Sequence, residues 1–271
     1  MPLKPTAMRG FLIDLDGTLY HGSKRIEGAD RLLAALRANR LPFRFVTNNS
    51  SVSPEEVAAR LNGMGIEAQP DEVCTSSLAA AQYIAQRKPG ASVYVVGEAG
   101  LKQAVAEAGL RLTEEEQPDF VVQGIDRELS YSRVAAAVRF IRAGAVSVMT
   151  NPDLLLPGES GLQPGAGSIG AMIEAASGQV PVVIGKPSSI LMDYALQQLG
   201  MEPGGIWVIG DNMATDIAAG IAAGCGTALV LTGLTTRDNY EHYAKLAGCK
   251  PDLICGSLDE LQSYILSRIG L

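Results

Sequence analysis

Short, unbroken apolar runs alternate along this chain with segments whose apolar residues recur every three or four positions. That alternation limits the fold more than any other feature. Gly10-Phe11-Leu12-Ile13 is followed by Ala29, Leu32, Leu33 and Leu36, spaced i, i+3, i+4, i+7. Then come Phe43-Arg44-Phe45-Val46 and a capping-box sequence, Ser53-Pro54-Glu55-Glu56, which opens a helix to about Met64. A strand apolar at nearly every residue must be covered on both faces, which parallel sheets achieve through crossover helices. The pattern therefore predicts an α/β fold with a parallel sheet flanked by helices. At 271 residues, the chain has room for one large domain or two smaller ones.

The same style continues to the C-terminus. Val93-Tyr94-Val95-Val96, Phe120-Val121-Val122, Ala145-Val146-Ser147-Val148, Ile206-Trp207-Val208-Ile209 and Ala228-Leu229-Val230-Leu231 are predicted strands, with a shorter one at Asp252–Cys255. Helices are predicted over 99–109, 131–143, 168–177 and 214–223. Ser257 with Glu260 forms a second capping box before the last helix. Residues 151–167 hold Pro152, Pro157, Pro164 and several glycines, and are expected to form a long ordered loop of functional importance.

Charge and composition exclude several classes. Lys and Arg number 22 against 29 Asp and Glu, a net charge of −7 with 47% apolar residues. Such a chain is globular and repels phosphate backbones and anionic lipid heads, so neither nucleic acid nor membrane is expected as a partner. The four cysteines form no C-x-x-C pair, and His21 and His242 are the only histidines, so zinc-site spacing is absent. Cysteines used as small core residues suit a reducing, cytoplasmic setting. Met1–Gly10 shows no apolar leader. Ile217–Thr236 carries no charge, but Gly224-Cys225-Gly226 interrupts it, and it is read as a buried helix–turn–strand.

Four polar clusters follow predicted strands, where open α/β sheets place their sites. Asp14-Leu15-Asp16-Gly17-Thr18 follows the first strand. Residues two apart on an extended chain share a face, so both acids can serve one site, and Gly17 permits the chain to turn just after them. Thr47-Asn48-Asn49-Ser50 offers hydroxyl, amide and backbone donors to an anion. Gly185-Lys186-Pro187 ends an apolar run with a point charge suited to a phosphoryl group. Gly210-Asp211-Asn212 leads to Thr215-Asp216, and a strand-end carboxylate is a good oxygen ligand for a hard cation. Together the clusters supply what phosphoryl transfer needs: positioning and charge neutralisation.

In order and content these clusters resemble the four motifs of the haloacid dehalogenase (HAD) superfamily. Thr47-Asn48-Asn49, Gly185-Lys186-Pro187-Ser188 and Gly210 through Asp216 are similar, more narrowly, to its NagD or p-nitrophenyl phosphatase-type branch. Thr150-Asn151-Pro152-Asp153 and Pro164–Ser168 resemble elements of that branch's cap. The resemblance covers nearly the whole chain. It implies a Rossmann-like core over 1–77 and 184–271, with an inserted α/β cap over 78–183. It also implies a Mg²⁺-dependent phosphomonoester hydrolase working through a phosphoaspartate. Asp14 would be the nucleophile and Asp16 the general acid and then base. Thr47 and Asn48, with Asn49 beside them, would hold the phosphoryl oxygens, and Lys186 would stabilise charge. Mg²⁺ would be held by Asp14, Asp211 and the backbone carbonyl of Asp16, with Asp216 supporting those ligands. Asn151, Asp153 and Arg127 are candidates for substrate contacts from the cap, and a homodimer through the cap fits the same resemblance.

Other readings fit less well. A dehalogenase needs no metal and would not call for Asp16 or the Asp211–Asp216 cluster. A phosphomutase, passing the phosphoryl group to a sugar, disagrees with the cap type. A phospho-accepting signalling module places its acid pair and acceptor after different strands, whereas here Asp14 and Asp16 share one loop. A nucleotide-binding oxidoreductase would need G-x-G-x-x-G opening a helix after a strand, which the glycine loop Gly97-Glu98-Ala99-Gly100 does not supply. His21 is read as an exposed turn residue and Trp207 as core packing.

Overall fold

The computed structural model describes residues 7–158 and 161–269. Residues 1–6, where the sequence shows no apolar leader run, and residues 159–160 of the Pro/Gly stretch lie outside the described residues. The chain divides into two compact units. One comprises residues 1–47, 54–74 and 186–271, the other residues 48–53 and 75–185.

The first unit is built on a six-stranded sheet ordered Leu253–Cys255, Gly226–Val230, Ile206–Gly210, Gly10–Ile13, Phe43–Thr47, Val73–Thr75. Gly10–Ile13 runs parallel to both neighbours, with Ile13 opposite Ile209 and Phe45. Phe11, Leu12 and Ile13 are fully buried, as a strand covered on both faces requires. Helix Ala29–Ala38 buries Ala29, Leu32, Leu33 and Leu36, the four residues of its apolar stripe. From Gly10–Ile13 the chain builds outward to one side of the sheet, then returns to build the other side from Ile206–Gly210. The two strands at this reversal end side by side, and one is followed by Asp14, the other by Asp211. A crevice at such a reversal is where open α/β sheets bind ligands.

The second unit has its own parallel five-stranded sheet, ordered Val182–Val183, Val146–Met149, Phe120–Gln123, Ser92–Val96, Arg111–Leu112. Its core joins Tyr94, Val96 and Val121 to Val134, Ala137, Phe140 and Ile141 of helix Tyr131–Arg142. The Tyr94 and Phe140 rings meet edge to face at 5.1 Å.

Several expectations need correction. The 151–167 stretch is not a loop throughout. Leu155–Gly158 and Gly161–Pro164 pair as an antiparallel hairpin, with Leu155 opposite Pro164, and helix Ala166–Ser177 begins two residues before the predicted start. Two prolines hid the hairpin, and a two-stranded ribbon tolerates proline on its outward edges. The helix expected over 214–223 opens with a wider turn at Met213–Ile217, in which Ile217 N–H reaches Asn212 O at 3.3 Å. The Ser257 hydroxyl does accept from Glu260 N–H, but the Glu260 carboxylate reaches past Ser257 to Gly256 N–H at 2.6 Å. Helices Ser76–Arg87, Ser189–Leu199 and Tyr240–Ala247 were not anticipated. Within 217–236 the chain forms a short helix, Ala218–Ala222, and the strand Gly226–Val230. No helix among the described residues is long and apolar enough to cross a membrane.

Candidate active site

Asp14 leaves the end of the first strand and is buried, whereas Asp16, two residues on, is exposed. Gly17, at φ 90°, makes the turn between the two acids and the following hairpin. Only glycine fits there, since a β-carbon would stand 2.6 Å from the Asp211 carboxyl carbon. Lys186 is 3% exposed, and its ammonium bonds Asp14 Oδ1, Asp216 Oδ1 at 2.6 Å and Val46 O at 3.4 Å. Asp211 is aimed by the loop after Gly226–Val230. Leu234 N–H donates to its Oδ2 at 2.6 Å, and Thr235 N–H to its main-chain oxygen at 3.1 Å. The Asp216 Oδ2 atom accepts from Asn212 N–H at 3.1 Å. The structure therefore brings Asp14, Lys186, Asp211 and Asp216 into one buried cluster, and Thr47, itself buried, ends the strand Phe43–Thr47 in the same unit.

Burial dominates the electrostatics. It pushes the Asp14 carboxyl well above its usual range, and Asp216 and Asp211 reinforce the rise against the pull of Lys186. Burial, with Asp216, lifts Asp211 to about 6 despite the Leu234 hydrogen bond. For Lys186 burial favours the neutral form, but Asp14 and Asp216 outweigh it and hold the proton on firmly. Asp14, Asp211 and Asp216 each offer an oxygen within 4.8 Å of the others. Three buried carboxylates thus face a single buried ammonium, an excess of negative charge that a low-dielectric site tolerates poorly. The donors are all hard oxygens with no histidine or thiolate among them, which suits a divalent cation of the Mg²⁺ or Ca²⁺ kind. The residues therefore fit a metal. The Asp16 side chain lies outside this cluster.

The remaining expected residues fall in the second unit. Asn48 Nδ2 donates to Asp153 Oδ2 at 3.0 Å, and the Asn48 main-chain oxygen accepts from Ser76 Oγ at 2.6 Å and Asn151 Nδ2 at 2.8 Å. Asn151 Oδ1 accepts from Asp153 N–H, so both amide atoms of this buried residue bond main chain. Asn49 Oδ1 accepts from the N–H and hydroxyl of Ser51, closing the turn there. Arg127 pairs with Glu98. His21 is exposed, as read from the sequence, but is not idle: its Nε2 meets Thr232 O at 2.6 Å.

Sequence reasoning assigned no role to three contributors. Thr18 donates to Asp14 Oδ2 at 3.2 Å and approaches Asp211 Oδ1 at 3.4 Å. Thr232 Oγ1 donates to Gly17 O at 2.9 Å, and Leu234 orients Asp211. Thr18 stood within the first motif and so was visible. Leu234 acts through its backbone, which side-chain identity does not advertise.

Comparison with known proteins decides the family. A haloacid dehalogenase-like hydrolase family model matches residues 11–111, and a second, HAD-hydrolase-like model matches 183–261. The chain belongs to the HAD-like hydrolases. It is 45% identical to the 5'-nucleotidase YutF of Bacillus subtilis, over 95% of this chain and 98% of that protein. It is 42% identical to an acid sugar phosphatase of Staphylococcus aureus, over 86% of this chain and 90% of that protein. Among solved structures, a p-nitrophenyl phosphatase from Archaeoglobus fulgidus superposes with a TM-score of 0.91 at 34% identity, covering 95% of this chain and 99% of that one. This HAD-like hydrolase is a phosphatase of the NagD-like branch, with the fold expected from its motifs.

Proposed function

We propose that this phosphatase is a Mg²⁺-dependent hydrolase of a small phosphomonoester that acts through a phosphoaspartate on Asp14. The observation that carries the reading is the buried Asp14, bonded by Lys186 and Thr18, with an exposed second acid two residues away. A nucleophile needs a fixed lone pair, and an acid–base group needs access to water and to the leaving oxygen.

In the first step an Asp14 carboxylate oxygen bonds phosphorus as the ester P–O bond breaks, and Asp16 gives its proton to the departing oxygen. In the second step Asp16 takes a proton from water. That water bonds phosphorus, the Asp14–phosphorus bond breaks, and inorganic phosphate leaves. Lys186 holds Asp14 in line and offsets charge on it. Thr47 and Asn48 hold phosphoryl oxygens, while Asn151 and Asn49 position Asn48 and the turn after it rather than meeting substrate themselves. Bound by Asp14, Asp211 and the Asp16 carbonyl, Mg²⁺ would supply charge neutralisation. Asp216 keeps Lys186 and the Asp211–Asn212 turn in place. In this reading residues 1–47, 54–74 and 186–271 are the catalytic core, and the second unit is a cap that chooses the leaving group.

Asp16→Asn tests the two-step assignment. A p-nitrophenolate leaves without acid help, but the phosphoaspartate still needs a base for its hydrolysis. Rapid mixing of the variant with p-nitrophenyl phosphate and Mg²⁺ should show a burst approaching one nitrophenol per site, then slow turnover. An alkyl phosphate should show no burst. Equal losses on both substrates without a burst would remove Asp16 from acid–base work.

A further inference from the structure

Two segments of the first unit close on the Asp211 carboxylate. One follows Asp16 and runs from Gly17 through the hairpin of Tyr20–His21 and Lys24–Arg25. The other, residues 231–236, leaves the strand Gly226–Val230. Neither leaves room for a methyl group beside Asp211. A β-carbon on Gly233 would overlap Asp211 Oδ2 and stand 2.7 Å from Gly17 O, just as one on Gly17 would stand 2.6 Å from the Asp211 carboxyl carbon. Such separations lie well inside van der Waals contact, so main chain itself walls the carboxylate.

Two hydrogen bonds, both made by Thr232, join the segments. Its hydroxyl donates to Gly17 O at 2.9 Å, and its main-chain oxygen meets His21 Nε2 at 2.6 Å. A carbonyl oxygen only accepts, so Nε2 carries the hydrogen. Each segment is also braced on its own side. Arg60 Nη2 donates to Gly22 O at 2.6 Å, and its guanidinium lies 4.8 Å from the Tyr20 ring centre. Asn239 Nδ2 donates to Leu234 O at 3.0 Å, and Thr236 N–H donates to Asn239 Oδ1 at 2.7 Å.

These bonds decide where two oxygens stand. Gly17 O, held by Thr232, belongs to the peptide next to the Asp16 carbonyl. Leu234 N–H, two residues after Thr232, fixes Asp211 Oδ2. Thr232 thus links the Asp16 carbonyl to Asp211, two of the groups assigned above to a divalent cation. Mg²⁺ takes its oxygens at about 2.0–2.1 Å in near-octahedral geometry, whereas Ca²⁺ takes them at about 2.3–2.6 Å, often in greater number, and needs ligands that can spread.

We propose that Thr232 and His21 are positioning residues that fix the spacing of the Asp16 carbonyl and Asp211 and so make the site select Mg²⁺ over Ca²⁺. This rests on the metal reading above. Thr232 acts through the Gly17 peptide and Leu234, and His21 acts through Thr232.

Calorimetric titration of the full chain with MgCl₂ alone and with CaCl₂ alone, without substrate, tests the assignment. The unaltered protein should hold Mg²⁺ more tightly. Thr232→Val removes the hydroxyl and should lower the ratio of the Ca²⁺ Kd to the Mg²⁺ Kd by about tenfold, the scale of one hydrogen bond. Thr232→Ser keeps the hydroxyl and should keep the ratio. His21 is exposed, so His21→Ala opens no core. It should lower the ratio by about threefold, and it carries the test if Thr232→Val does not fold. Residues that only brace the fold would weaken both ions alike. An unmoved ratio in His21→Ala or in folded Thr232→Val, a ratio in Thr232→Ser as low as in Thr232→Val, or equal affinity of the unaltered protein for both ions would overturn the proposal and leave the phosphatase reading standing. If the unaltered protein bound neither ion, the metal reading would fall, and this one with it.

Discussion

Asp211→Asn should make the metal-free protein more stable. Asp211 is buried beside Asp14 and Asp216 and titrates at about 6 rather than 3.8. The folded state therefore holds this proton more tightly than the unfolded chain does. Stability from the group is full below pH 3.8 and is lost as pH rises through about 6. Each tenfold change in proton affinity is worth about 1.4 kcal/mol, so the burden at pH 7 is about 3 kcal/mol. An asparagine carries no charge to desolvate, and its amide oxygen can keep the Leu234 bond. In excess chelator at pH 7, urea unfolding should put Asp211→Asn above the unaltered protein by up to about 3 kcal/mol, and by about half that at pH 5. With saturating Mg²⁺ the order should reverse, because the ion stabilises only the form that binds it. A variant less stable than the parent in chelator at pH 7 would refute the reasoning, since Asp211 would then be held by partners strong enough to outweigh its burial.

Asp14→Asn removes the attacking charge while keeping the shape, and steady-state turnover should fall at least about 10³-fold, on the order of 4 kcal/mol of barrier; retention of a tenth of the activity would place the nucleophile elsewhere. Asp119, in the second unit, behaves in the opposite sense to Asp211. The Lys88 ammonium and the Ser92 N–H and hydroxyl hold its carboxyl down at about 2. The stability it lends is present above pH 3.8 and is lost as pH falls through about 2. For this partly exposed group Asp119→Asn should cost about 1 kcal/mol in urea titrations at pH 7 and almost nothing at pH 2; a cost unchanged with pH would mean the carboxylate charge is not what matters.

The sequence was most legible where one physical demand governs a residue. Phe11, Leu12 and Ile13 are apolar in succession because both faces of their strand are covered, and no other environment asks for that pattern. Asp14, Lys186 and Asp211 were found separately because each follows a strand, and Asp216 because it lies at the start of the helix after Asp211, yet their convergence depends on strand order, which no local pattern displays. The hairpin at Leu155–Pro164 was missed for a related reason. Leu155 and Leu162 are 57% and 71% exposed, so the ribbon lacks the apolar/polar alternation that marks a half-buried strand. Asn151 shows the limit at the level of one side chain. Its amide suits a ligand as well as it suits main chain, and the bonds it makes to Asn48 and Asp153 are not visible in any local pattern.

The cluster around Asp14 links stability to catalysis through one quantity, the free energy of holding carboxylates out of water. Without a cation, Asp14 and Asp211 resist ionisation, and Lys186 alone does not restore them. A group that resists ionisation is a poor nucleophile at neutral pH, so the bare cluster is both the less stable and the less reactive state. Asp14, Asp211 and Asp216 would hold a divalent cation, whose charge would offset the repulsion that raises Asp14 and Asp211 and favour the ionised form of a carboxylate already fixed by Lys186 and Thr18. The fixed donors make this effective. Leu234 N–H, Asn212 N–H and the Lys186 ammonium hold Asp211 and Asp216 in place before any ion arrives, so binding need not spend free energy on ordering them. The repulsion that weakens the metal-free protein would, by linkage, strengthen its hold on such an ion.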